Sequence, residues 1–375
     1  MKVITNAKII TESEILEGYH LLFDEKIIDI TSTLPQNATV IDAKGAYLSA
    51  GFIDIHIHGS SGADVMDATP EALERIAQTI VQTGTTAFLG TTMTMAAADI
   101  TKALENVQHY PPKTGAKLLG VHLEGPFINP NKHGAQNRDF IQSPDMSLIA
   151  PYMDIVKMIT LAPEVQGAEA FIRYLNKHYP HILLSIGHSE ASYAESIESF
   201  EWGVSHATHL FNAMNPLHHR EPGIVGAVLA DPEVSCDIIA DLVHIHPSFF
   251  PLLRQLKPDN LVLITDAIRA GCLQSGNYML GGQEVIVDKG IARLADGTLA
   301  GSLLKLNEAL RNFDQHSDMT LVELIAMVTT IPARKLGLKM GRLAEGYPAD
   351  MVLFDSHFTI HQTWVNGELI FDFSV

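Results

Sequence analysis

The chain has 375 residues, of which 46% are hydrophobic and 18% charged; this supplies a large core and excludes a disordered or fibrous polymer. Lys and Arg number 25 against 43 Asp and Glu, and the net charge of −18 argues against a general nucleic-acid or anionic-membrane binder, which needs a basic face. Two cysteines, Cys236 and Cys272, exclude a disulfide framework and fit a reducing compartment, whereas 18 histidines call for an account, because imidazole is the commonest metal ligand and titrates near neutrality.

Residues 1–12 contain no apolar leader segment, and the longest apolar stretches, such as 224–230, fall far short of the ~20 residues of a spanning helix. The expectation is a soluble cytoplasmic protein. Residues 1–48 read as short strands at 3–10, 16–23, 26–30 and 39–42, separated by turn residues. After Gly51 the pattern changes to short apolar runs alternating with amphipathic stretches, as in βαβ units. The runs are 52–58, 86–90, 117–123, 156–161, 182–186, 203–207, 234–239 and 261–265. The clearest intervening helix is 69–82, with Leu73, Ile76, Ile80 and Val81 on one side. Eight strands over about 220 residues predict a (β/α)8 TIM-type barrel.

A β-rich insert at about 277–299 follows the eighth run and carries two turn signals, Gly281-Gly282 and Asp296-Gly297. Helices are expected at 303–313 and 320–336, and 350–373 is β-rich again. Its natural partner is the N-terminal β segment. The expected organisation is a small β-sandwich domain from 1–48 and 341–375, with the barrel at 49–340.

Candidate chemistry lies where the barrel strands end. In the first strand, His56 and His58 stand two residues apart and so share a face, either as two chance histidines capped by Gly59 or as a clamp for one metal. The third run leads to Glu124, followed by Gly125-Pro126; the fifth to His188; the sixth to His209; the seventh to His244; the eighth to Asp266. Taken singly, each has an ordinary structural reading, such as a solvated loop carboxylate or a helix N-cap. Their recurrence at successive strand ends points instead to the catalytic rim of a barrel.

These residues resemble the amidohydrolase superfamily: a His-x-His pair on strand one, an acidic ligand, His after strands five and six, and Asp after strand eight. More narrowly, the chain is similar to the N-acetylglucosamine-6-phosphate deacetylases. The segments that carry the likeness are 122–127 (HLEGPF), 187–189 (GHS), 208–214 (THLFNAM), 220–223 (REPG), 239–244 (IADLVH), 263–267 (LITDA) and 299–302 (LAGS).

The resemblance implies that Glu124, His188 and His209 hold one divalent metal, Zn or Fe. His56 and His58 are retained here, so a second ion is implied as well, with Glu124 bridging and Asp266 contributing. Asp266 and His244 are the implied catalytic residues, the former moving a proton and the latter polarising the acetyl carbonyl or bonding a sugar hydroxyl. Gln136, Asn212, Ala213, Arg220, His244 and Leu299 are the implied substrate-binding residues. Gln136 stands where many members carry His, and it cannot move a proton. Arg220 is expected to bind the phosphate across a homodimer interface, although pairing with Glu221 is its simplest local reading. Two further activities fit the same ligands: deacetylation of N-acetylgalactosamine 6-phosphate and cyclic-amide hydrolysis. A catalytically dead scaffold would have lost ligands that are all present here.

Overall fold

The computed structural model describes residues 1–111 and 114–373. Eight parallel strands form one sheet in sequential order: β1 (Phe52–Ile57), β2 (Thr85–Thr91), β3 (Lys117–Glu124), β4 (Val156–Leu161), β5 (Leu183–Ile186), β6 (His206–Ala207), β7 (Ser235–Ile239) and β8 (Leu261–Ile264). Each of the eight expected runs contains a strand, the sixth only at its last two residues. Most of their residues are buried, which is why parallel barrel strands read as apolar runs rather than as alternations. Closure between β8 and β1 uses a parallel bridge at Ile57–Ala267 and the Asp266 N–H, which donates to the His56 carbonyl at 2.9 Å. Asp54 adds a side-chain link, accepting from Thr265 Oγ1 at 2.6 Å.

Helices pack outside this sheet. Pro70–Ile80 is capped by Thr69, whose side chain accepts from the Ala72 N–H, and it turns Leu73, Ile76, Ala77 and Ile80 inward at helical spacing. Each such buried Leu or Ile contributes about 1.5–3 kcal/mol.

Two other helical expectations need correction. The stretch 320–336 is two helices, Leu321–Ala326 and Thr330–Lys335. Pro332 has no N–H to give to the preceding turn, so one continuous helix is not available. The helix expected at 303 begins at Leu306, because the preceding chain is held as an extended connection by the Ala267–Ser302 bridge.

The terminal segments form two sheets. One orders Ile27–Thr31, His20–Phe23, Lys2–Thr5 and Thr39–Asp42; the other orders Glu368–Asp372, Ile360–Val365, Met351–Phe354, Tyr47–Ala50, Lys8–Ile10 and Ile15–Leu16. Ile4, Leu21, Phe23, Leu48, Met351 and Trp364 pack together into a core of their own. The run 3–10 is therefore two strands in different sheets, divided at Asn6, which adopts the left-handed φ of 55°. Similarly, 16–23 is divided near Gly18. Tyr47–Ala50 pairs antiparallel with Met351–Phe354, joining the two ends of the chain, and the sequence boundary at 48/49 falls inside this strand.

The insert is a three-stranded antiparallel sheet, Gly276–Leu280, Gln283–Asp288 and Ile291–Leu294. Gly281 and Gly282, with φ of 55° and 79°, make its first tight turn. Its inner face, including Leu280, Val285 and Val287, packs on Met93 and Ile268 beside the barrel mouth. Among the described residues no helix is long and apolar enough to cross a membrane.

Candidate metal centre and catalytic cleft

The C-terminal ends of the barrel strands surround a cleft of about 200 Å³, lined by His58, Glu124, His188, His209, His244 and Asp266 among others. His56 lies beneath it, fully buried at the end of β1. The imidazoles and carboxylates converge. Glu124 Oε1 lies 3.0 Å from His209 Nε2, 3.2 Å from His188 Nε2 and 3.4 Å from His56 Nε2. Its Oε2 lies 3.3 Å from His58 Nε2. Asp266 Oδ1 is 3.2 Å from His58 Nε2 and 3.4 Å from His56 Nε2. Two triads result, Glu124/His188/His209 and His56/His58/Asp266, each with its ligand atoms within 4.8 Å of one another.

This donor set fits divalent cations. His188 and His209 bring their Nε2 atoms to 3.1 Å, and His56 and His58 bring theirs to 3.3 Å. Two imidazole nitrogens at that distance need a proton or a cation between them. The far nitrogen of His58 meets the Thr91 carbonyl at 3.2 Å and that of His188 meets the Lys132 carbonyl at 2.8 Å. A ring that donates there presents an unprotonated Nε2 inward, as metal-bound histidines do.

The electrostatics agree. Burial raises the Glu124 carboxyl, but the facing imidazoles of His56, His188 and His209 outweigh it and hold the group well below the usual carboxylate range. Burial pulls His209 down, yet its bond to Glu124 and the nearby acids raise it to about 9. His58 is likewise raised, against burial, by Asp266 and Glu124. Without a cation, then, these imidazoles hold protons in the space between the carboxylates. His122 goes the other way: burial and the neighbouring His56 push it well below its ordinary value, so it belongs to the uncharged barrel interior.

Backbone strain collects at the same rim. His188, His209 and Asp266 adopt left-handed φ values of 48°, 33° and 47°. A non-glycine residue there costs about 1–3 kcal/mol, sustained only where the surroundings over-determine it. Gly301 explains one case: a Cβ at this position would lie 2.8 Å from the Asp266 carbonyl oxygen, so only glycine lets the chain after the insert approach the aspartate.

The sequence pattern of the amidohydrolase family matches residues 47–370. The chain belongs to the amidohydrolase family. It is similar to an N-acetylglucosamine-6-phosphate deacetylase of Lysinibacillus sphaericus, 39% identical over 355 residues that span 92% of this chain and 91% of the relative. It is also similar to an N-acetylgalactosamine-6-phosphate deacetylase of Escherichia coli, 34% identical and spanning 98% of both chains. Among solved structures, an N-acetylglucosamine-6-phosphate deacetylase from Pasteurella multocida superposes with a TM-score of 0.94 at 31% identity, over 98% of this chain and 99% of that one.

Other residues singled out from the sequence of this amidohydrolase fall into two groups. Gln136, Asn212, Ala213, His244 and Leu299 all line the cleft. Gln136 is already engaged: its Nε2 donates to Glu124 Oε2 at 2.6 Å and its Oε1 accepts from the Thr94 N–H at 2.6 Å. His244 is oriented by Asp241, whose Oδ2 lies 2.7 Å from its Nδ1. Burial raises the Asp241 carboxyl, but the His244 hydrogen bond outweighs it and lowers the group below its ordinary value. Arg220 stands apart. It is exposed, does not line the cleft of its own chain, and its Nη1 meets His219 Nε2 at 2.7 Å rather than Glu221.

Sequence reasoning passed over Met93, Leu280 and Thr298, which also line the cleft. Met93 follows β2, a strand end with no metal-competent residue, so composition gave no signal for it. Asp237 was missed too, though a lone carboxylate inside the apolar strand β7 is a signal in itself.

Proposed function

We propose that this amidohydrolase removes the acetyl group of N-acetylglucosamine 6-phosphate, giving glucosamine 6-phosphate and acetate. The observation that carries the reading is the convergence of Glu124, His188 and His209 beside Asp266 and His244 in one cleft of a chain similar throughout to deacetylases of this substrate class. The barrel, residues 49–340, carries the chemistry, and the β segments 1–48 and 341–375 support it.

Glu124, His188 and His209 would hold one divalent cation, Zn or Fe by donor type, and His56, His58 and Asp266 would hold a second. A cation bound there supplies Lewis acidity toward the acyl oxygen and lowers the pKa of a water to about 7. Asp266 accepts the proton of the attacking water and passes it to the sugar nitrogen as the C–N bond breaks. His244, fixed through Nδ1 by Asp241, turns Nε2 to the acyl oxygen or a ring hydroxyl. Gln136 uses its second amide hydrogen toward substrate while holding Glu124 with the first. Asn212 and the Ala213 backbone are the proposed donors to the phosphate, and Leu299 lines the same cleft.

Arg220 of the partner subunit completes the phosphate site in a homodimer. Two features support this: the arginine is exposed and does not line its own cleft, and Leu217, Val243, Phe249 and Leu252, within the segment 217–252, are exposed apolar residues at 36% to 45%. Mixing two inactive variants tests it. An Arg220→Ala subunit paired with an Asp266→Asn subunit regains one intact site if the arginine acts in trans, and none if it acts within its own chain.

The galacto epimer is a second reading, favoured by the Escherichia coli relative. Acetate release from both 6-phosphates, before and after chelation and re-loading with zinc, decides between them. Activity indifferent to metal removal overturns the proposed chemistry.

A further inference from the structure

Asp237 lies within β7, is fully buried, and is the single charged residue of that strand. A buried carboxylate is retained only where it is fully hydrogen-bonded. Its Oδ1 accepts the backbone N–H of His209, and its Oδ2 lies 2.9 Å from His206 Nε2. The other nitrogen of His206 meets Ser235 Oγ at 2.7 Å, and both His206 and Ser235 are fully buried. The carboxylate is therefore clamped on one side and free to clamp on the other.

His209 needs such a clamp. Among the four converging histidines, the rings of His58 and His188 are fixed through their far nitrogens by backbone carbonyls. The far nitrogens of His56 and His209 have no hydrogen-bond partner among the described residues. In just those two residues the backbone N–H is bound by a buried aspartate, Asp54 for His56 at 3.2 Å and Asp237 for His209. His56 also sits inside a strand ladder, whereas His209 lies beyond β6 with a left-handed φ of 33°.

We infer that Asp237 is a positioning residue: it fixes the strained backbone of His209 in place of a ring contact, and so sets the direction of His209 Nε2 toward Glu124 and the cation. This rests on the reading of His209 as a ligand. What matters is the acceptor oxygen, not the charge, so the conservative Asp237→Asn variant retains the function and the near-isosteric Asp237→Leu variant loses it.

The test is a zinc titration against a competing chelator on the full chain, with kcat and KM measured separately and the fold checked by circular dichroism. Asp237→Asn is expected to bind zinc within a few-fold of the parent. Asp237→Leu is expected to lose roughly 10- to 100-fold in affinity, as removal of outer partners of metal ligands does, with kcat reduced and KM little changed. A folded Asp237→Asn protein that loses more than tenfold in zinc affinity overturns the inference, even if the leucine variant fails to fold. Equal affinity in the parent and a folded Asp237→Leu variant overturns it as well. His209→Ala is the control: if its zinc affinity matches the parent, the ligand assignment falls, and the inference falls with it.

Discussion

Replacing Gln136 with leucine removes two hydrogen bonds while changing the side-chain volume little. Gln136 is 3% exposed and Glu124 2%, so water does not readily take over either bond. One of them is a 2.6 Å donation to a carboxylate, worth about 1.5–3 kcal/mol, and the other leaves the Thr94 N–H unpaired at a further cost of about 1–3 kcal/mol. The second cost falls on folding. The first falls on the orientation of Glu124 and so on zinc affinity, where 1.4 kcal/mol is a factor of ten, giving a loss of roughly 10- to 100-fold. A competing-chelator titration measures this, with kcat and KM for N-acetylglucosamine 6-phosphate taken at saturating zinc. The same data separate the two roles proposed for this residue: a contact to substrate alone raises KM and leaves zinc affinity intact, whereas a hold on Glu124 weakens zinc first. A folded Gln136→Leu protein with parental zinc affinity refutes the account of Gln136 as the holder of Glu124.

Asp266→Asn is expected to keep zinc at the Glu124, His188 and His209 triad and to lose turnover by roughly 10²- to 10⁴-fold, the usual contribution of a positioned proton-transfer group; His188→Ala should lose zinc as well, and metal analysis of both variants checks the contrast. In the chelated protein, His209 is raised from its ordinary 6.5 to about 9, so its contribution to stability is fully present below 6.5 and fades as pH rises through about 9. Zinc displaces that proton, so zinc affinity rises across the same window; calorimetry and titration at the two ends of the range would expose a flat response. Burial pushes the Cys236 thiol up to about 12 while Cys272 is exposed, so iodoacetamide at neutral pH should label Cys272 and spare Cys236 in the folded protein, with peptide mapping as the readout.

The parts of the molecule legible in the sequence are those governed by local pattern. Barrel strands buried on both faces read as apolar runs, and metal-competent residues just past them marked the rim. What escaped depended on contacts distant in sequence or on single backbone angles. Asn6 and Gly18 redirect the chain between sheets through positive φ, which no hydrophobic pattern reports. Pro332 was visible, but its effect depended on where the last helical turn began. Gln136 was marked by the resemblance as a substrate contact, but its hold on Glu124 depends on folding, and Asp237 bonds a residue 28 positions away.

The charge of the chain bears on the same centre. No Lys or Arg is among the described residues lining the cleft, and Glu124 and Asp266 both stand in it as carboxylates held below their ordinary values. In the metal-free cleft the protons held by His58 and His209 offset these two carboxylates. One divalent cation displacing those protons would leave the floor neutral, and a second would make it positive by two on a molecule of net charge −18. The His56/His58/Asp266 triad therefore bears on binding as well as on chemistry, because it decides whether the floor is neutral or attractive. The phosphate of the proposed substrate calls for a cationic donor that the described lining of the cleft does not supply. Within this chain the exposed Arg220 is near Asn212 and Ala213 in sequence yet outside their cleft, which is the placement that a donor to a neighbouring copy requires.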